Sequence, residues 1–289
     1  MLSKQKIKRQ INNITHIADM LYSTELVSAS RLRRSQTKLK EIAPYCDTVE
    51  ALLRDLINSL DREKLSRYPL LNSSYTGSID LLIVVGGERG LCGGYIADLI
   101  RICENYINSN PNSDIIVYGT RVGRILYRRG YNILAVHPIN PLISFNDIRS
   151  ILEDITERFK TGKYRRVTVE YVSPQSAFSS IPKEVPLLPI ETDTESLRSM
   201  EEYIIEPSPE IMLESLLPMA LAVRLYRIFL ESITSEYSAR RFAMHQAYEN
   251  AREILRKLNI VYQKLRQSEI TTEIIEVSTS KVALEEGML

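Results

Sequence analysis

From Pro218 to its end the chain contains no proline, and between Gly162 and Gly287 it contains no glycine. Over that stretch apolar residues recur every three or four positions, through Val223, Tyr226, Leu230, Ile233, Tyr237, Met244, Tyr248, Ala251, Leu255, Leu258, Tyr262 and Leu265. This spacing is the seam of a helix packed lengthwise against another helix. The one long step, from Tyr237 to Met244, falls where Arg240 and Arg241 interrupt the seam. Ser208 is in place to cap the helix, and Pro209 suits the first helical position, where a missing N–H costs nothing. Pro218 is expected to kink it early. At ~1.5 Å per residue, about 65 helical residues make a rod on the order of 100 Å, against roughly 11 to 12 residues for an average helix. A chain of 289 residues cannot bury such a rod inside one domain. Its apolar stripe must be covered first by another helix of the chain and then by other molecules.

The opposite end supplies a partner. Ile7, Ile11, Ile14, Ala18 and Leu21 repeat the same three and four spacing. This first helix is predicted to stop at Pro44, because the ring removes a backbone donor and pushes the preceding residue out of the helical region. A second helix is predicted from about Asp47 to Leu65, ending near Pro69. The segment to residue 43 carries nine Lys or Arg against Asp19, Glu25 and Glu41, a net +6, although the whole chain has a formal net charge of only +1. No RNA-binding signature or interleaved aromatics accompany these charges, which excludes nucleic acid as the expected partner. A solvated face, or one that docks on an acidic protein surface, is the reading adopted.

Between the helical ends the period changes. The apolar run Ile79–Val85 has strand length, a glycine cluster follows it, and Tyr95 to Ile107 is amphipathic. Asp114 to Tyr118, Arg121 to Arg129, Asn132 to Val136, Phe145 to Phe159 and Arg166 to Val172 continue the alternation of strand and helix. That is the pattern of a doubly wound sheet covered by helices. Ser173 to Pro189, with four prolines, reads as loop or edge strand. The predicted organisation is an N-terminal helical segment over 1–65, an α/β domain over 75–206 and a long C-terminal helix over 207–289.

No catalytic constellation emerges. The loop Gly86-Gly87-Glu88-Arg89-Gly90-Leu91-Cys92-Gly93-Gly94 lies after a strand and before a helix, where phosphate loops sit, but Gly93-Gly94-Tyr95 stands where a Walker loop needs Lys and Ser or Thr. It is read as a tight strand-to-helix turn. His16, His137 and His245 lie in separate segments without ligand spacing, so no metal or cofactor is expected. Cys46, Cys92 and Cys103 form no CxxC pair, which points to a reducing compartment. Cys92, at the start of a helix, is either a reactive thiol of lowered pKa or, the preferred reading, a small buried or contact-forming one. No apolar run approaches the ~18 residues of a membrane span, so the chain is expected to be soluble or peripheral.

Several stretches together resemble the γ subunit of F-type ATP synthases. They are Leu26-Val27-Ser28-Ala29-Ser30-Arg31-Leu32-Arg33-Arg34-Ser35-Gln36, the turn Arg89 to Gly94, Tyr203-Ile204-Ile205-Glu206-Pro207-Ser208-Pro209, and above all Ser235-Glu236-Tyr237-Ser238-Ala239-Arg240-Arg241-Phe242-Ala243-Met244 with Arg266-Gln267 and Ile270-Thr271. The resemblance implies an antiparallel coiled coil of the two terminal helices with a Rossmann-like α/β domain inserted between them. It implies a non-catalytic shaft, turned by an ion-driven c-ring, that moves three catalytic sites through their conformations in sequence. The implied partners are a hexamer of three α and three β subunits, the small ε subunit and the c-ring, with the chain held peripherally on the cytoplasmic side of a prokaryotic cell membrane. By position, Arg266, Gln267, Thr271, Arg240 and Thr24 match rotor–stator contacts. Arg89, Gly90 and Cys92 match the contact with the lever of the β subunit, and Tyr203 and Glu206 the region near the c-ring and ε.

The chain also departs from the family pattern. Asp19-Met20-Leu21-Tyr22-Ser23-Thr24 replaces a run with two lysines, Gly87-Glu88-Arg89 replaces a Thr/Ser-Asp-Arg run, and Thr272 stands for a glutamine. Ser278 to Lys281 and the tail Glu285 to Leu289 replace a small apolar end. The alternatives are a γ-like shaft of a specialised ATPase not coupled to ion transport, or a nucleotide-binding Rossmann-like enzyme with helical extensions.

Overall fold

A computed structural model describes residues 3–71, 77–176, 179–190, 206 and 208–286. The elements are α1 (Lys4–Asn58), α2 (Arg62–Leu65), β1 (Ile79–Val85), α3 (Tyr95–Ser109), β2 (Ser113–Tyr118), α4 (Thr120–Arg128), β3 (Ile133–His137), α5 (Phe145–Lys160), β4 (Tyr164–Pro174), β5 (Ser180–Leu188) and α6 (Pro209–Glu286). The chain divides into two compact units: residues up to Val27 together with those from Ala243 onward, and Ser28–Phe242.

The larger unit is built on a five-stranded sheet of order β3-β2-β1-β4-β5. β1 pairs in parallel with β2 and with β4, β2 pairs in parallel with β3, and β5 runs antiparallel along the outer side of β4. The Ser173 to Pro189 stretch thus supplies an edge strand, where Pro182 and Pro186 withhold donors without breaking an inner ladder.

Strand alternation assigns each side chain of β1 to one of two cores. Leu81, Ile83 and Val85 face α5 and the parts of α1 and α6 that belong to this unit, among them Leu53, Leu56, Leu221, Leu225 and Phe229. Leu82 and Val84 face α3 and α4, with Leu99, Cys103, Val122 and Leu126. Both faces are covered, which is why β1 reads as a continuous apolar run. α5 opens with a reciprocal cap in which Ser144 Oγ accepts from Asp147 N at 3.2 Å and Asp147 Oδ2 accepts from Ser144 N at 2.8 Å.

Pro44 does not end the first helix. α1 runs unbroken from Lys4 to Asn58 and absorbs the expected second helix, so the predicted break is wrong. A proline inside a helix costs about 3 kcal/mol, and burial on both sides of it offsets that amount. Leu32, Cys46, Val49, Leu53, Leu56 and Ile57 are all buried against the larger unit's core or α6, and Thr48 Oγ1 donates to the Pro44 carbonyl at 2.9 Å. α6 begins as expected, with Ser208 Oγ accepting from Ile211 N at 3.3 Å, and its helical assignment is unbroken through Pro218.

In the smaller unit the two terminal helices pack through small residues. Ala18, Leu21, Met244 and Ala251 are buried, with Ile14, Ala247, Tyr248 and Leu255 against them. Lys4 pairs with Glu269 at 2.5 Å, the rings of Tyr22 and Tyr248 lie 5.3 Å apart, and Glu25 meets His245 at 3.1 Å. Ascending positions on α1 meet descending positions on α6, so the pair is antiparallel. The same sense holds within the larger unit, where Arg31 donates to Tyr237 Oη at 3.2 Å and Asp47 accepts from Arg227 at 2.8 Å. The fold is the one expected: an antiparallel pair of terminal helices with an α/β domain inserted between them.

Candidate functional site

The glycine-rich turn between β1 and α3 is fixed to α6 by buried polar groups. Ser232 Oγ donates to Val85 O at 2.8 Å and lies 2.9 Å from Tyr95 Oη. Gly86 sits between them at φ +132°, and a Cβ there would come within 2.2 Å of Tyr95 Oη and 2.7 Å of Ser232 Oγ. Only glycine fits, both sterically and conformationally. Gly119, at φ +141° after β2, is similarly forced, since a Cβ would lie 1.9 Å from Gly86 O.

One helical turn further along α6, Glu236 takes the amides of the same turn. Its Oε2 accepts from Gly87 N and Glu88 N, each at 3.1 Å, and its Oε1 accepts from Arg89 N at 3.2 Å. Three successive N–H groups converge on one carboxylate, an anion-binding concavity already filled by the protein itself. Arg240 completes the clamp. It donates to Glu236 Oε1 at 2.5 Å, to Arg89 O at 3.1 Å and to Gly90 O at 3.1 Å. Both residues are nearly fully buried. The site therefore has no room for a nucleotide phosphate: the donors such a ligand would use are spent on Glu236.

Glu88 extends the clamp to α4. Its Oε2 accepts from Thr120 N at 3.0 Å and Ile139 N at 3.1 Å, and its Oε1 accepts from Thr120 Oγ1 at 2.9 Å. This carboxylate stands at the N-terminus of α4, where the helix dipole favours negative charge. A second clamp ties β4 to α6. Glu231 accepts from Tyr171 Oη at 2.9 Å and Ser173 Oγ at 2.8 Å, and Arg227 bridges Glu231 to Asp47 of α1.

The structure places the predicted site residues on separate parts of the chain. Arg266, Gln267 and Thr271 are exposed on α6, with Thr271 Oγ1 donating to Gln267 O at 2.9 Å. Thr24 is half-buried on α1 with its hydroxyl on Met20 O at 2.8 Å. Arg89 and Gly90 lie in the clamped turn and the Arg89 side chain is exposed. Arg240 is not available on the surface: its guanidinium is consumed inside the chain. Glu206 is exposed and Tyr203 lies outside the described residues.

Cys92 is buried, and of its two readings the low-pKa one is overturned. Burial pushes the thiol up, Glu236 adds to the effect, and Arg240 opposes it. Desolvation outweighs the helix terminus, so the thiol stays protonated at neutral pH. The residue that the turn does present is Leu91, 63% exposed and held at φ +62°, a left-handed conformation uncommon for a side chain of this size. Glu236, Ser232 and Glu88 were not among the predicted site residues. The signal for the clamp was the interruption of the α6 seam at Arg240, with Glu236 one turn before it.

Set beside known proteins, the sequence matches the family model described as ATP synthase over residues 3–284. The ATP synthase gamma chain of Roseiflexus castenholzii is 32% identical, covering 99% of this chain and 100% of its own. That of Amoebophilus asiaticus is 31% identical, covering 97% and 98%. The chain belongs to the ATP synthase gamma family. Among solved structures, a chain of the Euglena gracilis mitochondrial ATP synthase, determined with OSCP, F1 and the c-ring, superposes with a TM-score of 0.69 at 16% identity, covering 98% of this chain and 95% of that one. A chain of the Tetrahymena thermophila central stalk and c-ring gives 0.62 at 18% identity, covering 79% and 99%. The family's fold thus persists at identities where the sequence itself carries little of the likeness.

Proposed function

We propose that this gamma chain is the rotor shaft of an F-type ATP synthase, coupling ion-driven rotation of a c-ring to the conformational cycle of catalytic sites on β subunits. The observation that carries the reading is the exposed apolar surface of the smaller unit. Beyond Glu269, the partner of Lys4, α6 continues with Ile270 45% exposed, Ile274 63%, Ile275 58% and Val277 71%. An apolar stripe of this kind is stable in a soluble complex only inside a surrounding protein surface. A hexamer of three α and three β subunits supplies such a bearing.

In this reading Arg266, Gln267 and Thr271 on α6 and Thr24 on α1 meet the hexamer through polar contacts that break and re-form at each step. The turn carrying Arg89, Gly90 and Cys92 meets the lever of β. Arg240 acts behind that turn as a positioning residue. Tyr203 and Glu206 meet the c-ring and the ε subunit. The chain does no chemistry of its own. It is held peripherally on the cytoplasmic side of a prokaryotic cell membrane through the complex.

The test is native mass spectrometry of the complex released from its membranes. Three α, three β and one copy of this chain are expected; a stable homo-oligomer of this chain without the hexamer would overturn the reading.

A further inference from the structure

Between α5 and α6 the larger unit has a cleft of about 530 Å³. Its floor is apolar: Leu70, Leu152 and Ala222 line it, and each is 7% exposed or less. One wall is α5 from Phe145 to Lys160, about 22 Å at the helical rise. The other is α6 from Ser215 to Ala222, where Pro218 and two short side chains leave room. The Phe145 ring, edge-on to Tyr226 at 5.8 Å, is fixed at one end. Packed interiors leave few voids larger than a water molecule, and this volume lies in the range of about 300 to 1,000 Å³ that small-molecule sites occupy.

The side-chain donors left to the cleft are cationic. Thr156 Oγ1 is spent on Glu153 O at 3.1 Å, and Ser215 Oγ on Met212 O at 3.0 Å. Arg149 and Lys160 line the cleft, and among the described residues neither has an ion-pair partner. Of the α5 acids outside the lining, Asp147 caps the helix and Asp154 pairs with Arg158 at 2.9 Å. Within the lining these two cations meet only Glu153, which leaves it a net +1.

We propose that this cleft binds a single-chain amphipathic anion of the fatty-acid class, with its hydrocarbon chain on the apolar floor and its carboxylate at Lys160. An alkyl chain asks only for apolar contact, whereas a sugar or a nucleobase would leave polar groups unpaired where the hydroxyls are already used. The carboxylate gains a charge-assisted bond. Glu153 is one turn from Arg149 and about two from Lys160, so repulsion favours the Lys160 end. A partner helix is a poorer occupant. At about 10 Å across and 22 Å long it needs roughly 1,700 Å³, and it would lie mostly outside the cleft. The proposal does not depend on the rotor reading, because every lining residue belongs to the larger unit of this chain.

The chain has no tryptophan, so Met219→Trp places a single fluorescent reporter on the cleft. The test titrates this full-length variant with ω-bromododecanoate below its micelle concentration. Saturable quenching is expected, reversed by unbrominated dodecanoate. A Tyr127→Trp chain, with its reporter outside the cleft, should not be quenched over the same range. Dodecyltrimethylammonium should displace the probe at least tenfold less well than dodecanoate. Adding Lys160→Glu should weaken binding at least tenfold with circular dichroism unchanged, whereas Lys40→Glu, an equal change of charge at another exposed site, should stay within twofold. Absence of saturable quenching, equal quenching of both reporters, equal displacement by the cation, or equal loss in the two lysine variants would overturn the proposal. So would quenching by vesicles of brominated phosphatidylglycerol without quenching by the free acid, which would make the ligand a bilayer lipid.

Discussion

Glu236 and Arg240 stand one turn apart on α6, joined at 2.5 Å, and each takes the opposite polarity of the same turn: Glu236 accepts three of its amides and Arg240 donates to two of its carbonyls. A glycine-rich turn has little side-chain packing of its own and would be free to move. Here the amides of Gly87, Glu88 and Arg89 and the carbonyls of Arg89 and Gly90 are tied to the long helix, while the Gly87 and Glu88 carbonyls and the Glu88 carboxylate hold the start of α4. A displacement of α6 at this level therefore shifts the turn, and with it Leu91, as one body. Rigidity of this kind is what a transmitting element needs.

Removing one partner of the clamp leaves the other buried and unpaired. Arg240→Ala strands the Glu236 carboxylate, at a cost of about 3 to 5 kcal/mol to the local structure, whereas Glu236→Gln keeps one acceptor and costs less. Hydrogen exchange of the Gly87, Glu88 and Arg89 amides reads this directly. Their protection is expected to fall by at least a hundredfold in Arg240→Ala while the β1 amides stay protected. Unchanged exchange at the turn would show that the clamp does not hold it.

Gly86→Ala tests the same joint sterically. The added Cβ meets Tyr95 Oη and Ser232 Oγ well inside contact distance, and at φ +132° a side chain is strained as well. A loss of about 3 kcal/mol or more is expected, seen as a fall in urea midpoint. The double variant Gly86→Ala/Ser232→Ala should recover little, because the tyrosine hydroxyl remains. Full recovery would place the conflict on Ser232 alone.

The architecture was legible where one physical rule acted on a long stretch. The α6 seam and its Ser208-Pro209 start, the alternation of strands and helices, and the proline-bearing edge strand each follow from local chemistry. Pro44 was misread because the rule against proline in helices is local, while the burial that overrides it comes from residues far away in sequence, on α6 and beneath the sheet. The clamp was half-visible: Arg240 breaks the apolar seam, but nothing in the sequence says that a charged residue on a helix turns inward onto a loop some 150 residues away. Leu91 was hidden in the same way, since its exposure follows from the backbone conformation of the turn.

The antiparallel register of the smaller unit can be checked chemically. The native thiols are buried, and burial pushes Cys46 up to about 11, so they do not compete with engineered surface cysteines. Glu25→Cys paired with His245→Cys should cross-link efficiently with a short bismaleimide. Glu25→Cys paired with Glu269→Cys should not, because Glu269 meets the opposite end of α1 at Lys4. Cross-linking of the second pair would refute the register.

Truncation after Arg266 removes exposed α6 residues and the Lys4–Glu269 pair, but no residue of the larger unit. The strand signal in circular dichroism and the urea midpoint of the sheet domain are expected to stay within experimental error of the full chain. Assembly with the hexamer should weaken, read as loss of this chain from the complex in native mass spectrometry. A collapsed sheet signal would mean that the tip contributes to the folding of the domain, contrary to the division into units.

Glu170 gives the chain a pH dependence that its composition does not reveal. It lies on β4, 1% exposed, and neither carboxyl oxygen has a hydrogen-bond partner of good geometry. Burial is the main cause that raises its pKa from 4.5 to about 7; the Cys103 thiol on α3 pulls it down, and Glu184, opposite it on β5, pushes it up. On its other side β1 presents Val84, which carries no charge. Because the folded state holds this proton more tightly than the unfolded chain, the stabilisation is complete below pH 4.5 and is lost as pH rises towards 7. The loss amounts to about 3 kcal/mol. Glu170→Gln removes the titration while keeping the shape. Between pH 5.5 and 8.5, where about 2 kcal/mol of this is lost, the melting temperature of the parent, relative to this variant, should fall by about 4 to 8 °C. Comparing the two chains at each pH cancels every contribution that both share. Parallel curves would show that Glu170 is satisfied in solution by a group that lowers its pKa back to the ordinary carboxylate range.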